Sequence, residues 1–210
     1  MAKPSRSKGR FKIQRALGVE IPGLGKPGSL ERRPYPPGQH GQRRRKLSDF
    51  SIQLREKQKL RYHYDLREKQ LIRAVKLAKK NKGQAWIESL IINCEERLVN
   101  VVFRLKFAPS MKASAQMVKH GHILVNGKKV TVPGQHIKVG DTLSITKKGL
   151  EGQSYQAAQV RHPLDSVPAN YELGTEGELP KATVTARPLA TDLPFPLNLQ
   201  LVTDFYSKTK

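Results

Sequence analysis

The residues that offer the clearest chemistry lie in a ten-residue stretch, GHILVNGKKV, at positions 121–130. Asn126 and Gly127 both tolerate the positive φ that the central positions of a type I′ turn require, so the pair predicts a tight β-hairpin. Lys128 and Lys129 follow the turn directly. Such a hairpin would hold two ammonium groups at its tip, and binding an anionic partner is the chemistry that they could supply.

The register of the predicted hairpin follows from its turn. Val125 lies opposite Lys128, and Leu124 lies opposite Lys129. Because side chains alternate along a strand, four apolar residues are expected to share a buried face: Ile123, Val125, Val130 and Val132. Lys129 is expected to point away from that face, beside the turn.

The charge of the chain indicates what partner the hairpin would meet. The 210 residues include 39 Lys and Arg against 17 Asp and Glu, a formal net charge of +22. A protein this basic is expected to bind a polyanion. Residues 1–50 carry 13 basic and 3 acidic side chains, residues 51–150 carry 21 and 7, and residues 151–210 carry 5 and 7. The basic surface therefore covers the first three quarters of the chain.

Helical patterns dominate the middle of the chain and must position these cations. Residues 48–64 and 65–83 each predict a helix, with Ser48 and Asp65 as the N-caps. Residues 85–105 predict one long helix, because apolar residues recur every three or four positions as a buried stripe. The stripe consists of Trp86, Leu90, Cys94, Leu98, Val102 and Leu105.

A compact group of elements surrounds the hairpin. Residues 110–121 predict a short helix, with Ser110 as N-cap and Gly121 as the C-terminal stop. A third strand is predicted after the hairpin in residues 136–145, where apolar residues alternate. Near the end of the chain, KATVTA and LNLQLVTDF alternate like two further strands.

These patterns predict an α+β protein in four segments. A basic Pro/Gly-rich arm occupies residues 1–46, a helical N-terminal domain residues 47–96, a small domain of helices with a short twisted antiparallel sheet residues 97–160, and a C-terminal β extension residues 161–210. The arm is predicted to be irregular. Two interpretations stay open for it: a solvated flexible arm, or an arm that orders against phosphate groups through the arginines at positions 43–45.

The sequence offers no arrangement typical of a catalytic or metal site. The six histidines are scattered, and His120 and His122 have no Cys or carboxylate neighbour at ligand spacing. No phosphate-binding loop, dinucleotide fingerprint or nucleophile elbow occurs. Cys94 is the only cysteine and lies on the apolar stripe, which predicts a core residue and no disulfide. No cofactor, metal or small-molecule substrate is therefore expected.

A membrane partner is not expected either. The longest apolar stretch is far shorter than the roughly 20 residues that cross a bilayer. The first residues, MAKPSRSKGRFK, are basic, but no apolar segment follows them as it would in a secretory signal. A basic protein of the membrane surface would need an amphipathic anchor, which the sequence lacks.

Three segments of the chain resemble one family of RNA-binding proteins. Residues 96–141, which contain the hairpin, resemble an S-four domain, a small RNA-binding module. Residues 33–71, with PPGQHG and LREKQKLR, resemble the amino-terminal region of the bacterial type of small-subunit ribosomal protein S-four. Residues 199–208, LQLVTDFYSK, resemble its carboxyl end. The chain is thus similar to this family over nearly its whole length.

The resemblance implies a structural constituent of the small (30S) ribosomal subunit and not an enzyme. It implies direct, primary binding of 16S-type rRNA and nucleation of the assembly of the subunit body. It also implies contact with ribosomal protein S-five, an influence on translational accuracy, and contact with mRNA at the entry channel. The implied location is the ribosome, in the cytoplasm of a bacterium or in an organelle.

Carried onto this chain residue by residue, the resemblance implies RNA-binding candidates in three places. The S-four domain contributes Ser110, Lys112, His120, Gly121, His122, Asn126, Gly127, Lys128 and Lys129. The arm contributes Gln39, His40, Arg43, Arg44 and Arg45, and the first helices contribute Arg55, Lys57, Lys59 and Arg61. The turn with its lysines would present a fixed positive edge to the RNA backbone, which reads shape more than sequence.

The chain departs from the family pattern in three ways. Many members hold zinc with a cysteine cluster near the start, but this chain has no cysteine before Cys94, so a zinc-free variant is expected. Where the family usually has Arg-Leu-Asp-Asn, residues 97–100 read Arg-Leu-Val-Asn. The family usually has arginines at the positions of Met111 and Ala115, and Lys112 restores one charge about 100° round the helix. The hairpin lysines are therefore expected to matter more.

Two other functions could use the same RNA-binding domain. The main alternative is an RNA-modifying enzyme, such as a pseudouridine synthase or an RNA methyltransferase. That enzyme would need a catalytic domain, and residues 1–96 and 161–210 supply neither an active-site carboxylate motif nor a cofactor loop. A chaperone-like RNA binder acting on stalled ribosomes would not need the PPGQHG arm.

Overall fold

The structure, a computed structural model, describes residues 9–25, 28, 30–43, 46–80, 85–177 and 179–208. Its helices are α1 (Arg10–Leu17), α2 (Asp49–His63), α3 (Glu68–Ala78), α4 (Trp86–Glu95), α5 (Leu98–Arg104), α6 (Met111–Lys119), α7 (Lys147–Leu150), α8 (Gln153–Val160) and α9 (Leu199–Lys208). Its strands are β1 (Ile123–Val125), β2 (Lys128–Lys129), β3 (Thr142–Ile145), β4 (Tyr171–Glu176) and β5 (Leu179–Val184). The predicted α+β class is confirmed.

The chain divides into two compact units. The first unit joins residues 1–63 to residues 195–210, and the second unit contains residues 64–194. The first is helical, with α1, α2 and α9. The second contains the remaining helices and all the strands of the described residues.

In the first unit, α2 packs against α9. The rings of Phe50 and Phe205 lie 5.7 Å apart between centroids, and Val202 and Phe205 are buried. The Glu56 carboxylate accepts a hydrogen bond from Lys59 Nζ at 2.6 Å and another from the backbone N–H of Asn198 at 3.1 Å. A buried carboxylate thus fixes the segment that leads into α9.

The second unit is built around an antiparallel sheet with the strand order β2-β1-β3-β5-β4. Helices α5 and α6 pack against each other, and their apolar side chains join those of the strands in one core. Residues in this core include Leu98, Val102, Met117, Val118, Ile123, Leu143, Ile145 and Ala182. Helices α3 and α4 pack together as a separate pair within the unit.

A buried polar network surrounds Glu95 at the end of α4. Arg104 donates to the Glu95 carboxylate through Nε at 2.9 Å and Nη2 at 2.7 Å. Tyr64 Oη donates to the same carboxylate at 2.6 Å, and Asn100 Nδ2 donates to it as well. Arg104 also donates to the carbonyl oxygen of Asp192 at 3.1 Å. Burial and the charge of Glu95 raise the pKa of Tyr64, so its hydroxyl remains a donor.

The predicted long helix over 85–105 is wrong, because the chain breaks between α4 and α5. Residue Arg97 lies in extended backbone and forms a bridge with His136. The Leu98 N–H donates to the Gln135 carbonyl at 2.7 Å, and the Ile137 N–H donates to the Glu96 carbonyl at 2.8 Å. Pairing with this distant segment outweighs the continuous helical pattern. The stripe itself is largely buried, although Trp86 remains half-exposed.

Two predictions near the chain ends are wrong, because each rested on a short sequence pattern. Residues 1–46 were predicted to be irregular, yet α1 forms and buries Ile13 and Leu17 in a small cluster with Ile21. The last predicted strand, within LNLQLVTDF, is the helix α9 instead. Its leucines alternate, but burial of Val202 and Phe205 against α2 favours the helical spacing. KATVTA does form most of β5, as predicted.

Smaller corrections concern the sheet and one cap. The third strand covers only Thr142–Ile145, rather than the whole of residues 136–145. Val132 is 58% exposed and does not join the buried face, because β2 ends at Lys129. The N-cap of α3 is Arg67, whereas Asp65 adopts a positive φ of 47°. The register predicted for the hairpin is confirmed, with Val125 opposite Lys128 and Leu124 opposite Lys129.

Candidate nucleic-acid interface

The predicted hairpin forms the centre of the candidate interface. Asn126 and Gly127 have φ values of 50° and 74°, which fit the two central positions of a type I′ turn. The side chains of Lys128 and Lys129 are exposed on β2. A two-residue turn of this type leaves little freedom to the strand ends, so the lysine backbone is held in a fixed position.

The Asn126 side chain ties this turn to the start of β3. Its Nδ2 donates to Asp141 Oδ1 at 2.8 Å, and its Oδ1 accepts from the backbone N–H of Thr142 at 2.9 Å. Asp141 also accepts from the backbone N–H of Lys138 at 2.8 Å. Both polar ends of Asn126 are therefore engaged within the protein, which gives it a positioning role. Asp141 was not among the predicted site residues, since its only signal in the sequence was its place in a turn before a strand.

Gly121 provides the space in which the Lys129 side chain lies. Its φ is 69°, and a Cβ atom built there would collide with the Cδ, Cε and Nζ atoms of Lys129. The φ favours glycine, since other residues rarely adopt it, and a side chain there would only displace the flexible end of Lys129. The Lys129 side chain thus packs over Gly121. The backbone conformation of Gly121 ends α6, as predicted.

Two histidines and a second lysine extend the positive charge around Lys129. The rings of His120 and His122 lie 6.0 Å apart between centroids. Partial burial lowers the pKa of His122, and the positive charges of His120, Lys148 and Lys129 lower it further. We call these four residues the histidine–lysine cluster. Lys148 was missed by the sequence analysis, because only the chain reversal from β3 into α7 brings it here.

The start of α6 supplies fewer groups than the resemblance implied. Ser110 caps the helix, since its Oγ accepts from the backbone N–H of Ala113 at 3.2 Å. Lys112 is exposed, as a phosphate contact would require. Met111 is only 3% exposed and belongs to the interior. The position at which the family usually carries an arginine therefore faces the core in this chain.

The arm residues of the first unit lie on a concave surface. Gln39, His40 and Arg43 are exposed, and with Arg55 they line a cavity of about 850 Å³. Arg15 holds this segment by donating to the Tyr35 carbonyl at 2.9 Å, with its guanidinium 4.9 Å from the centre of the Tyr35 ring. Arg15 was not among the predicted site residues. The predicted candidates Arg44 and Arg45 lie outside the described residues.

Two of the α2 candidates are buried rather than open to a ligand. Lys59 forms a 2.6 Å ion pair with Glu56, and both side chains are about nine-tenths buried. The Nζ of Lys57 lies 5.2 Å from the centre of the Phe205 ring, and the residue is 4% exposed. Arg61 is half-buried over the Tyr62 ring and donates to Gln58 Oε1 at 2.9 Å. Their pattern in the sequence did not reveal that α9 covers this side of α2.

Metal and thiol chemistry find no support in the geometry. Within the part of the chain that the structure describes, no group of three or more His, Cys, Asp or Glu side chains is placed to hold a metal ion. Cys94 is buried, and burial raises the pKa of its thiol to about 12, which keeps it protonated. In the same residues, the helices are too short or too polar to cross a membrane.

Comparison with known proteins gives two family matches and many relatives. Residues 6–95 match the ribosomal protein S4/S9 N-terminal domain. Residues 96–143 match the S4 domain, which is the S-four domain of the resemblance. The chain is 49% identical over 200 residues to the small ribosomal subunit protein uS4B of Bdellovibrio bacteriovorus, covering 94% of this chain and 95% of that protein.

Two further relatives are similar over the same extent. The protein uS4 of Novosphingobium aromaticivorans is 43% identical over 207 residues, covering 97% of this chain and 98% of that protein. The protein uS4 of Methylobacillus flagellatus is 42% identical over 202 residues, covering 94% and 95%. The chain therefore belongs to the uS4 family of small ribosomal subunit proteins, which are structural RNA-binding proteins and not enzymes.

Proposed function

We propose that this chain is a constituent of the small subunit of a bacterial-type cytoplasmic ribosome, and that it binds 16S-type rRNA directly as a primary binder. In this role it nucleates assembly of the body of the subunit. The single observation that carries the proposal is the fixed cationic edge formed by the hairpin lysines and the histidine–lysine cluster.

The cationic edge suits the backbone of folded RNA. Double-stranded RNA has a deep, narrow major groove that side chains do not read, so proteins bind its shape, phosphates and 2′-hydroxyls. Lys128 and Lys129 neutralise phosphates, and a neutral His122 can donate to or accept from a 2′-hydroxyl. Because the turn is tied to β3 through Asn126, the edge needs little ordering on binding.

The arm of the first unit is proposed to contact the same rRNA. Exposed His40 and Arg43, together with Arg55, surround a cavity that is lined by prolines and Tyr35. Cations beside the aromatic ring of Tyr35 suit a nucleic-acid strand, since the cations bind phosphates and a base can stack on an aromatic ring. Lys57 and Lys59 are left out of the proposal, because burial and the Glu56 ion pair occupy them.

The proposal extends to the partners that the family resemblance implies. Ribosomal protein S-five is proposed to contact this chain and to influence translational accuracy with it, and mRNA is proposed to pass nearby at the entry channel. The four segments 1–46, 47–96, 97–160 and 161–210 are retained as proposed functional divisions. A binding assay with purified S-five tests the first of these partners.

The main test is binding of the purified chain to naked 16S-type rRNA in the absence of other proteins. A primary binder should form a complex with a defined stoichiometry, protect specific nucleotides, and lose affinity linearly in log salt. Large-subunit rRNA of similar length is the control. Equal affinity for the two RNAs, or binding only after other proteins have been added, would contradict primary binding.

A further inference from the structure

A row of cations on α3 belongs to neither the hairpin nor the arm. Lys69, Arg73 and Lys76 are separated by four and three positions, which places them within an arc of about 60° on a helix of 100° per residue. Lys80 continues the row in the turn after the helix, and all four side chains are exposed. We call these four residues the α3 stripe. At about 1.5 Å per residue, it is about 16 Å long.

The remainder of α3 explains why the stripe is open. Leu71, Val75 and Ala78 are buried on roughly the opposite side of the helix, which packs against α4. Lys79 is turned aside, with its Nζ 5.1 Å from the centre of the Trp86 ring. The interior of the unit therefore uses one face of α3, and the stripe forms the other face.

The stripe carries charge without compensation from the protein. Among the described residues, none of its four side chains forms an ion pair with a carboxylate. Like charges three or four positions apart destabilise a helix by roughly 0.2–0.5 kcal/mol per pair. An ordinary solvated face intersperses acids with bases and avoids this cost. Uncompensated cations in a straight row are instead suited to a linear polyanion.

The residues that border the stripe also favour a bound surface over a solvated one. Ile72 is 40% exposed and Leu77 is 55% exposed, one on each side of the row. Apolar borders keep water from the cations once a partner covers them, which strengthens their attraction to phosphate. We propose that the α3 stripe is a further RNA-binding surface, which binds consecutive phosphates of the small-subunit rRNA. The inference rests on the proposed function.

The first experiment measures lysine reactivity in the unmodified protein. An amine-acetylating reagent, read by mass spectrometry, should modify Lys69, Lys76 and Lys80 several-fold more slowly when naked small-subunit rRNA is bound. Lys106, which donates to the Asp165 carbonyl outside the proposed surfaces, should react at an unchanged rate. Equal reactivity of the three stripe lysines with and without rRNA would overturn the inference.

The second experiment compares two variants that lose the same charge. Arg73→Gln with Lys76→Gln removes two stripe cations, and Lys106→Gln with Arg161→Gln removes two cations outside the proposed surfaces. Glutamine preserves helix propensity, so both variants should melt as the parent does. The stripe variant should bind small-subunit rRNA about tenfold more weakly, with a salt slope lower by up to about two units.

The outcomes separate this inference from the proposed function. If the parent binds small-subunit rRNA but the stripe variant and the control variant weaken equally, the stripe contributes only net charge and the inference is wrong. If the parent itself fails to bind small-subunit rRNA, the proposed function fails, and the stripe assignment fails with it.

Discussion

The hairpin of the second unit and the α2–α9 pair of the first unit reach a fixed geometry through different kinds of contact. In the hairpin, Asn126 meets Asp141 only 15 positions away. In the helix pair, Glu56 meets the backbone of Asn198, which lies 142 positions away. The hairpin is set by its own turn, whereas the helix pair requires two segments that lie far apart in the sequence.

The difference decides what a lysine does in each place. Local strand pairing uses only backbone groups, so Lys128 and Lys129 stay exposed and available to a ligand. In α2, the distant helix α9 covers the side chains, and Lys57 and Lys59 are buried against Phe205 and Glu56. The same residue type is therefore open to solvent in one context and holds the fold in the other.

The largest expected effect tests the distant contact. Phe205→Ala removes a ring that is 8% exposed and contacts Phe50 across the α2–α9 pair. Phe→Ala in a core costs about 3 kcal/mol or more, so the urea midpoint of the first unit should fall sharply. Val160→Ala is the control, because Val160 is 88% exposed. Equal midpoints for the two variants would mean that α9 adds no stability to α2.

The second effect concerns the hairpin cations. Lys128→Ala with Lys129→Ala should leave the melting temperature nearly unchanged, because both residues are exposed. Affinity for small-subunit rRNA should fall about tenfold, and the salt slope by about one unit per lost phosphate contact. Filter binding at several salt concentrations measures both quantities. A lower melting temperature with an unchanged slope would place these lysines against protein instead.

The third effect separates the turn from its charges. Gly127→Val should cost about 1 kcal/mol or more, since φ is 74° there and a β-branched residue tolerates it poorly. A Cβ at Gly127 meets no atom within 4 Å, so the cost comes from the backbone alone. Gly134→Val is the matched control, because Gly134 is equally uncrowded and lacks a positive φ. Equal losses of melting temperature in the two variants would exclude a special role of the turn.

The smallest effect is a pH dependence of RNA binding. The pKa of His122 is lowered in the free protein, so its imidazole becomes protonated only at a pH below the usual pKa of histidine. Phosphate binding favours the protonated form, and affinity should rise a few-fold between pH 7 and pH 5.5. His122→Gln should reduce this rise. An identical pH profile in the variant would remove His122 from the interface.

The sequence predicted well those features that depend on neighbours along the chain. The hairpin register followed from one Asn-Gly pair, and Ser110 was identified correctly as the cap of α6. The elements that failed depend on distant partners: the break before Leu98 needs the segment around His136, and α9 needs the side of α2 that it covers. The spacing of apolar residues within one segment cannot encode either contact.

The candidate site divides in the same way. Exposure of the hairpin lysines and of Arg43 could be expected from the sequence, because the lysines follow a tight turn and Arg43 lies in a basic Pro/Gly-rich segment. The participation of Lys148 and the burial of Lys59 could not be expected, because each follows from packing between separate elements. The buried network around Glu95 was not foreseen either.

The Glu95 network bears on the order in which the second unit folds. It joins Tyr64 near the start of that unit to the Asp192 carbonyl near its end, through Arg104. Separating α4 from α5 would leave the buried charges of Glu95 and Arg104 unpaired, which costs about 3–5 kcal/mol. The amide hydrogens of α4 and α5 should therefore exchange together, as one cooperative block. During synthesis, the network can close only after residue 192 has left the exit tunnel, so the unit completes its fold late.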